Sequence, residues 1–381
     1  MLRGYKFRMY LNIEQEILIN KTFGCSRFIY NHFLNDKTKL YQELSYKKSA
    51  YECCSDIKML YIDHPWLKEV DSCSLRSAVF DLEDAFIRFF KKQGDYPVFK
   101  NRYKKQSYRT NNMISTYKGT TYNSIKLNLH KKEIILPKLK AVKIRGYRNL
   151  GFFNGRIINA TVSKENNRYY VSITVEEPTV IKETQGKDIV GIDLGIKSLV
   201  TTSDYDIYDN RCVTNKYEKS LAHMQRELAR KEKGSKNYHK CKAKINTIYR
   251  KMKNTRRYYL HEISKKLTDN YKVIAAETLK LKEMMKNTRL SKSIQDTSMY
   301  ELIRQLKYKS EFKRVKFYQI DSYYPSSQRC CHCGSINKKM KELSIREYKC
   351  IKCNNELDRD YNAAINIMSE GLNLYIEELA M

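Results

Sequence analysis

Residues 329–368, RCCHCGSINKKMKELSIREYKCIKCNNELDRDYNAAINIM, set two short cysteine pairs ahead of a cluster of acids. Cys330/Cys333 and Cys350/Cys353 are separated by 16 residues, a spacing that reads as a four-thiolate zinc site. Cys331 and His332 lie inside the first pair and read as loop residues. Glu356, Asp358 and Asp360 follow at once, and Tyr361-Asn362-Ala363-Ala364 opens a helix. A closed metal knuckle running straight into an acidic helix start serves a larger site, which the rest of the chain must supply.

Working back from the knuckle, RVKFYQIDSYYPSSQ (314–328) predicts a strand over 314–320. KVIAAETLKLKEM (272–284) predicts another over 272–276, ending in Glu277. Taken alone, Glu277 reads equally as a helix N-terminal acid. DIVGIDLGIKSLVTTSD (188–204) predicts a buried strand through Ile189, Val190, Ile192 and Leu194, then a second strand at 199–202 closing a hairpin. The first carries Asp193 between Gly191 and Gly195. A carboxylate in an apolar strand costs several kcal/mol unless it has a charged partner, and flanking glycines let a ligand or another backbone come close. The bland alternative for Asp193 is a strand-end cap of the turn. Asp193, Glu277 and Asp360 stand 84 and 83 residues apart, so only the fold brings them together. A hairpin start, helices, a further acid-bearing strand and a closing helix match a ribonuclease H-like α/β layout.

Charge defines the partner. Lys and Arg number 73 against 42 Asp and Glu, a net +31 with pI near 9.6. Spread along the chain, that charge favours a polyanion, nucleic acid first, and the 31 tyrosines offer stacking surfaces. Residues 217–270 predict a helical pair with Leu221, Met224 and Leu228 on one face and Arg226, Arg230 and Lys236 among the cations of the other. GDYPVFKNRYKKQSYRTNN (94–112) reads as a basic, Tyr-rich loop, with Lys100, Arg102, Lys104 and Arg109 as phosphate contacts. Arg76 sits on a helix whose apolar stripe is Leu75, Val79, Leu82, Phe86 and Phe89. No apolar run of membrane-spanning length and no signal core occur. The eleven cysteines, irregularly placed outside the two pairs, read as reduced thiols in an intracellular protein.

The first dozen residues alternate as a strand, Tyr5, Phe7 and Met9 on one face, and amphipathic helices follow to Phe90. Short strands SIKLNLH, EIILP, AVKIRGY, RIINATVS and RYYVSITVE predict a small β-barrel. The first strand has no local partner and is expected to join it, leaving the helices as an insertion. EEPTVIKETQGKD (176–188) reads as a polar linker.

YKFRMYLNIEQE, GCSRFIYNHFL, HPWLKEV, YPVFK, GIDLGIKSLVTTSD, ELARKEKGSKNYHK, VIAAETLKLKEM, YPSSQRCCHCG, REYKCIKC and DRDYNAAINI, in that order, resemble the characteristic segments of the TnpB family. These are RNA-guided DNA nucleases encoded by insertion sequences and related to compact type V CRISPR effectors. The resemblance implies an α/β multidomain chain: a wedge-like β-barrel (1–12 and 94–180), a helical recognition insertion (13–93), a RuvC-like nuclease domain (186–325 and 356–381) and a four-cysteine zinc finger (326–355). It implies Asp193, Glu277 and Asp360 as catalytic ligands of two Mg²⁺, Cys330, Cys333, Cys350 and Cys353 as ligands of one structural Zn²⁺, and Asp358 as a cap or supporting acid. It also implies a guide RNA from the transposon end, a double-stranded DNA target beside a short motif, and a monomer with one RNA in the prokaryotic cytoplasm, at the nucleoid. Where relatives often have Pro in the first strand-to-helix turn, this chain has Leu11-Asn12, and Thr278 replaces a common Asp or Asn. A nuclease-inactive, RNA-guided repressor or a transposition accessory protein would keep this architecture, but such repressors lose triad acids. A strand transferase would need a His-x-His pair beside its nucleophilic Tyr, and the seven histidines contain none.

Overall fold

The computed structural model describes residues 1–117, 120–146, 155–178, 186–342 and 344–380. It divides into two compact units, Met1–Thr179 and Val180–Met381. Most of the expected linker at 176–188 lies outside the described residues.

In the first unit, β1 (Leu2–Tyr10) is followed by three helices, α1 (Ile13–Leu44), α2 (Ala50–Asp63) and α3 (Ser72–Phe90). Then come β2 (Gln106–Asn111), β3 (Ile114–Tyr117), β4 (Thr120–Asn123), β5 (Lys126–Asn128), β6 (Glu133–Leu136), β7 (Lys140–Arg145), β8 (Arg156–Glu165) and β9 (Arg168–Glu176). Seven of these strands form one antiparallel sheet in the order β2-β8-β9-β1-β7-β6-β5. The orphan first strand is therefore an inner strand, paired with β9 on one side and β7 on the other. Among the described residues no pairing joins β2 to β5, so the expected barrel is observed as a sheet with two ends. Tyr5, Phe7 and Met9 bury on the face that receives Ile19 and Phe23 of α1. Asn12, in the turn from β1 into α1, caps the helix: the Gln15 N–H donates to its Oδ1 at 2.8 Å and its own N–H donates to Gln15 Oε1. The helices share a second core of Phe33, Leu67, Leu75, Val79 and Leu82, with Phe86 packed at its margin. The basic stretch expected to be all loop contains β2. Tyr108 and Thr110 bury in alternation while Ser107 and Arg109 do not, and polar types hid that period.

The second unit holds β10 (Lys187–Asp193), β11 (Ser198–Thr202), β12 (Ile207–Asp209), α4 (Val213–Ala229), α5 (Lys236–Asn270) and β13 (Tyr271–Ala276). It continues with α6 (Leu281–Met284), α7 (Thr288–Thr297), α8 (Met299–Lys313), β14 (Lys316–Gln319), β15 (Glu347–Lys349), β16 (Glu356–Asp358) and α9 (Arg359–Ala380). Its sheet runs β12-β11-β10-β13-β14, an antiparallel meander followed by two strands parallel to β10. Thr278 ties the end of β13 to the end of β14 by donating its hydroxyl to the Ile320 carbonyl at 2.7 Å. Gly234, at φ +93°, turns the chain between α4 and α5, and Ser235 caps α5.

Alternation along the strands assigns the two faces of this sheet. Val190, Ile192, Ile274 and Ala276 pack against Leu260, Ile263 and Leu267 of α5 and Leu302 and Leu306 of α8. Gly191 and Ala275 face the other way, and α9 lies on them. A Cβ on Gly191 would stand 2.1 Å from the Ala364 carbonyl oxygen and 2.4 Å from the Met368 nitrogen. One on Gly371 would stand 2.2 Å from the Ala275 Cβ. The glycine beside Asp193 thus admits the backbone of the closing helix.

Gly191→Ala is expected to destabilise the second unit by about 3 kcal/mol or more, since backbone cannot yield as a flexible side chain does. Gly4→Ala, with nothing within 4 Å of its Cβ, is expected to change stability by less than about 0.5 kcal/mol. Urea unfolding of both variants checks this, and equal midpoints would contradict the packing.

Candidate active site and metal centre

Each cysteine pair folds as a tight knuckle. In the first, the Gly334 N–H donates to the Cys330 carbonyl at 3.0 Å and the Cys330 N–H donates to the Ser335 carbonyl at 2.8 Å. The second repeats this with Asn354, Cys350 and Asn355 at 3.1 and 2.9 Å. Gly334 (φ +73°) and Asn354 (φ +54°) occupy the left-handed position that such a turn demands. The four Sγ atoms all lie within 4.8 Å of one another. Cys330 and Cys353 are 3.7 Å apart and Cys333 and Cys350 3.5 Å, far beyond a disulfide bond. A tetrahedron with metal–sulfur bonds of about 2.3 Å has edges of roughly 3.8 Å, so the donor set fits one zinc ion and leaves no open position. The Ser335 hydroxyl, 3.1 Å from Cys350 Sγ, and the neighbouring N–H groups hold that thiol down to about 5. Cys331 and His332 stand outside the cluster, as expected of loop residues.

The acids converge on the α9 side of the second unit's sheet. Ile192 pairs with Ala276 in parallel register, so Asp193 and Glu277 follow side by side at the carboxyl ends of adjacent central strands, about 4.8 Å apart at the backbone. They share the parity of Gly191 and Ala275, the face covered by α9, and Asp360 lies in the first turn of that helix. Burial, then the charges of Glu277 and Asp360, push the Asp193 carboxyl well above its ordinary range. Burial pushes Glu277 up to about 7, and burial together with Asp358 raises Asp360. Among the described residues, the only set of three or more metal-binding groups within 4.8 Å of one another is the cysteine set. The negative charges of Glu277 and Asp360 act on Asp193, and that of Asp360 acts on Glu277, so the three acids lie within electrostatic reach of one another. Ligands to two ions about 3.5–4 Å apart need not converge so closely, because such a pair with its outer oxygens spans roughly 8 Å. Oxygen donors at half-buried positions beside solvent fit hard divalent cations.

Asp358 is the cap of α9, its Oδ1 accepting the N–H groups of Asp360 at 2.9 Å and Tyr361 at 3.0 Å. Sequence reasoning missed the cations beside the site. Arg346, four residues before Cys350, places Nη1 3.8 Å from Asp360 Oδ2, and together with Arg359 and then Lys197, in the turn after β10, it opposes the rise of the Asp360 carboxyl without reversing it. It also missed Asn362 and Asn366, both buried on α9 with carboxamides bonded to the first knuckle and the segment leading into it. The signal was present as two Asn one helical turn apart amid Ala and Ile.

The expected nucleic-acid contacts fall on both units. Arg76 is exposed on α3, and Arg102 and Lys104 are exposed in the segment before β2. Arg109 pairs with Asp81 at 2.9 Å, and the Lys100 ammonium lies 3.6 Å from the Tyr30 ring centroid, so these two already have internal partners. Arg226, Arg230 and Lys236 are exposed on α4 and at the start of α5, where Glu227 draws Arg230 to 3.9 Å.

Three family profiles match in succession: an OrfB_IS605 helix-turn-helix domain at 1–48, OrfB_IS605 "probable transposase" at 172–288, and a Cas12f1-like TNB domain at 300–367. Residues 1–48 fold here as one strand and one 32-residue helix with its C-terminal turn. Two relatives bear the name "putative RNA-guided DNA endonuclease". The one from Streptomyces pristinaespiralis is 32% identical over 97% of this chain and 89% of its own length. InsQ from Escherichia coli K12 is 30% identical over 97% and 92%. In fold, the chain resembles the protein of a Cas12f1–sgRNA–target DNA complex, with TM-score 0.58 at 12% identity over 97% of this chain and 98% of that one. It also resembles the mini-RNA-guided endonuclease CRISPR-Cas_phi3, with TM-score 0.52 at 9% identity over 98% and 92%.

Protonated Glu277 stabilises the metal-free fold fully below the ordinary carboxylate range, and that contribution disappears as pH rises through about 7. In chelator, wild type is therefore expected to lose on the order of 2 kcal/mol relative to Glu277→Gln between about pH 5 and about pH 8. Denaturant titrations across that interval test this; parallel curves for the two proteins would refute it.

Proposed function

This chain belongs to the OrfB_IS605 transposase family of TnpB-like proteins, and from that membership we propose that it is an RNA-guided DNA endonuclease whose cutting site is Asp193, Glu277 and Asp360. The observation that carries the site assignment is the meeting of these three acids, from two parallel strands and the closing helix, on one face of one sheet. The strand order and the helix on each face support a ribonuclease H-like, RuvC-type nuclease domain. In this reading β1 and the later strands of the first unit form the wedge, α1 to α3 form the recognition insertion, and the four-cysteine unit is a zinc finger set into the nuclease domain.

Two Mg²⁺ ions bound by these carboxylates would activate a water and stabilise the oxygen that leaves as the phosphodiester breaks. The chain's own residues do the rest. Asp193 and Glu277 are fixed by their strands, so their spacing does not depend on a flexible loop. Asp360 is set by the helix start that Asp358 caps. The burial and neighbouring acids that raise these carboxyls favour protons at the site, and divalent cations would compete with those protons and offset the repulsion. Arg346 and Lys197 place positive charge at the edge of the site, where a phosphate would otherwise meet only acids. The four thiolates, soft and closed, take a structural Zn²⁺ and no part in the cutting.

The partners follow from the same reading: a guide RNA from the transposon end, a duplex DNA target beside a short motif, one protein per RNA, and a cytoplasmic, nucleoid-associated location. No helix among the described residues is long and apolar enough to cross a membrane. The exposed Arg76, Arg102, Lys104, Arg226, Arg230 and Lys236 contact phosphates, while Lys100 and Arg109 would contribute only after exchanging their internal partners.

Purified protein with its co-purifying RNA and Mg²⁺ is expected to cut a matching duplex, and Asp193→Ala to bind that duplex as wild type does without cutting it. Full cleavage by the variant would remove Asp193 from the site. Equal target binding with and without RNA would overturn guidance.

A further inference from the structure

The first turn of α9, which carries Asp360, is gripped from two directions by the four-cysteine unit. One route starts at the second knuckle. Lys349, next to Cys350, pairs with Glu356, and the ribbon β15–β16 runs on to Asp358. The Asp358 carboxylate then accepts the N–H groups of Asp360 and Tyr361. The other route starts at the first knuckle. The Cys331 N–H donates to Asn362 Oδ1 at 3.0 Å, and Asn362 Nδ2 donates to the Arg329 carbonyl at 2.7 Å. One turn later Asn366 Nδ2 donates to the carbonyls of Ser326 at 2.8 Å and Arg329 at 2.6 Å.

Asn362 is completely buried. A helix that only had to pack on a sheet would place an apolar residue there, because an amide taken out of water is costly unless its partners are exactly placed. Both of its partners are backbone groups flanking Cys330, and their positions are set by the turn that the thiolates close. Arg359 adds to the grip, donating Nη1 to the Glu342 carbonyl at 2.9 Å and its own N–H to the Arg346 carbonyl at 2.8 Å.

We infer that Asn362 is a positioning residue that transmits closure of the four-cysteine site to Asp360, so that zinc occupancy sets the divalent-ion affinity of the carboxylate site. The inference rests on the nuclease reading and adds to it a link between two metal sites of different chemistry. The four-cysteine unit, with a zinc ion held by its thiolates, would act on the carboxylate site through the helix start alone.

The test uses the intact protein–RNA complex, wild type and Asn362→Ala, with Ser369→Ala as a control on an exposed position of the same helix. The readouts are zinc transfer to a chelating dye, the Mg²⁺ concentration for half-maximal cleavage, and guided binding of target DNA. Asn362→Ala is expected to speed zinc transfer about 10-fold and raise the Mg²⁺ requirement about 10-fold, with target binding within about twofold of wild type. Ser369→Ala should match wild type throughout. An unchanged zinc-transfer rate and Mg²⁺ requirement would overturn the inference, as would a cleavage defect that merely tracks lost target binding. Should Asn362→Ala not fold, Asn362→Asp retains the acceptor for Cys331 and loses the donor to Arg329, and the same split must appear. Zinc stripping of the wild-type complex decides independently: it must raise the Mg²⁺ requirement while the guide stays bound, and no rise would end the proposal. A wild-type complex that cuts nothing would refute the nuclease reading itself, and the zinc-transfer rates would still report on the Asn362 tie.

Discussion

At Gly191 the backbone of α9 rests on strand β10, with the Ala364 carbonyl oxygen standing where a Cβ would be. Side chains at the other strand positions fill the core against α5 and α8, while this one position is left bare so that a helix can come close. Asp193 is two residues further along the same face, and the helix that crosses Gly191 begins at Arg359. A larger residue would lift the helix from the sheet and move Asp360 away from the strand acids. The contact that seals the core and the geometry of the site are therefore one constraint.

The unit brings together two kinds of metal-binding group with opposite design. Four sulfurs form a shell with no vacancy, stiffened by hydrogen bonds from Ser335 and the knuckle amides. Three carboxylates lie close enough that burial and neighbouring negative charge raise the proton affinity of Asp193 and Glu277. The first arrangement is a closed set of soft donors, and the second is an open set of hard ones. They are linked at the start of α9, where Asn362, two residues after Asp360, bonds to the backbone on either side of Cys330.

Much of the site was legible because its chemistry is written in rare residue types at fixed spacing. Two CxxC pairs permit few readings, and an Asp amid Ile, Val and Gly stands out by its cost. The parity of Gly191 and Asp193 was also present in the sequence, although whether the glycine admits a ligand or a helix could be decided only by the packing. Strand β2 escaped notice because its period is carried by Tyr and Thr against Ser and Arg, all compatible with a polar loop. The hairpin β3–β4 was missed for a related reason, as β3 is exposed along its whole length. Arg346 was invisible because its role depends on the knuckle's path back to α9, one basic residue among 73.

The parallel pairing of β10 with β13 joins segments more than 80 residues apart, and α9 must then close over both. Contacts of such long range form late, after the entropy of the intervening loop has been overcome. A chain that has folded only its local elements, the β10–β11 hairpin or the α4–α5 pair, holds one acid or none at the site. The three acids therefore share one site only in a chain whose longest-range pairing and closing helix are both in place, and a partly folded chain holds no such site.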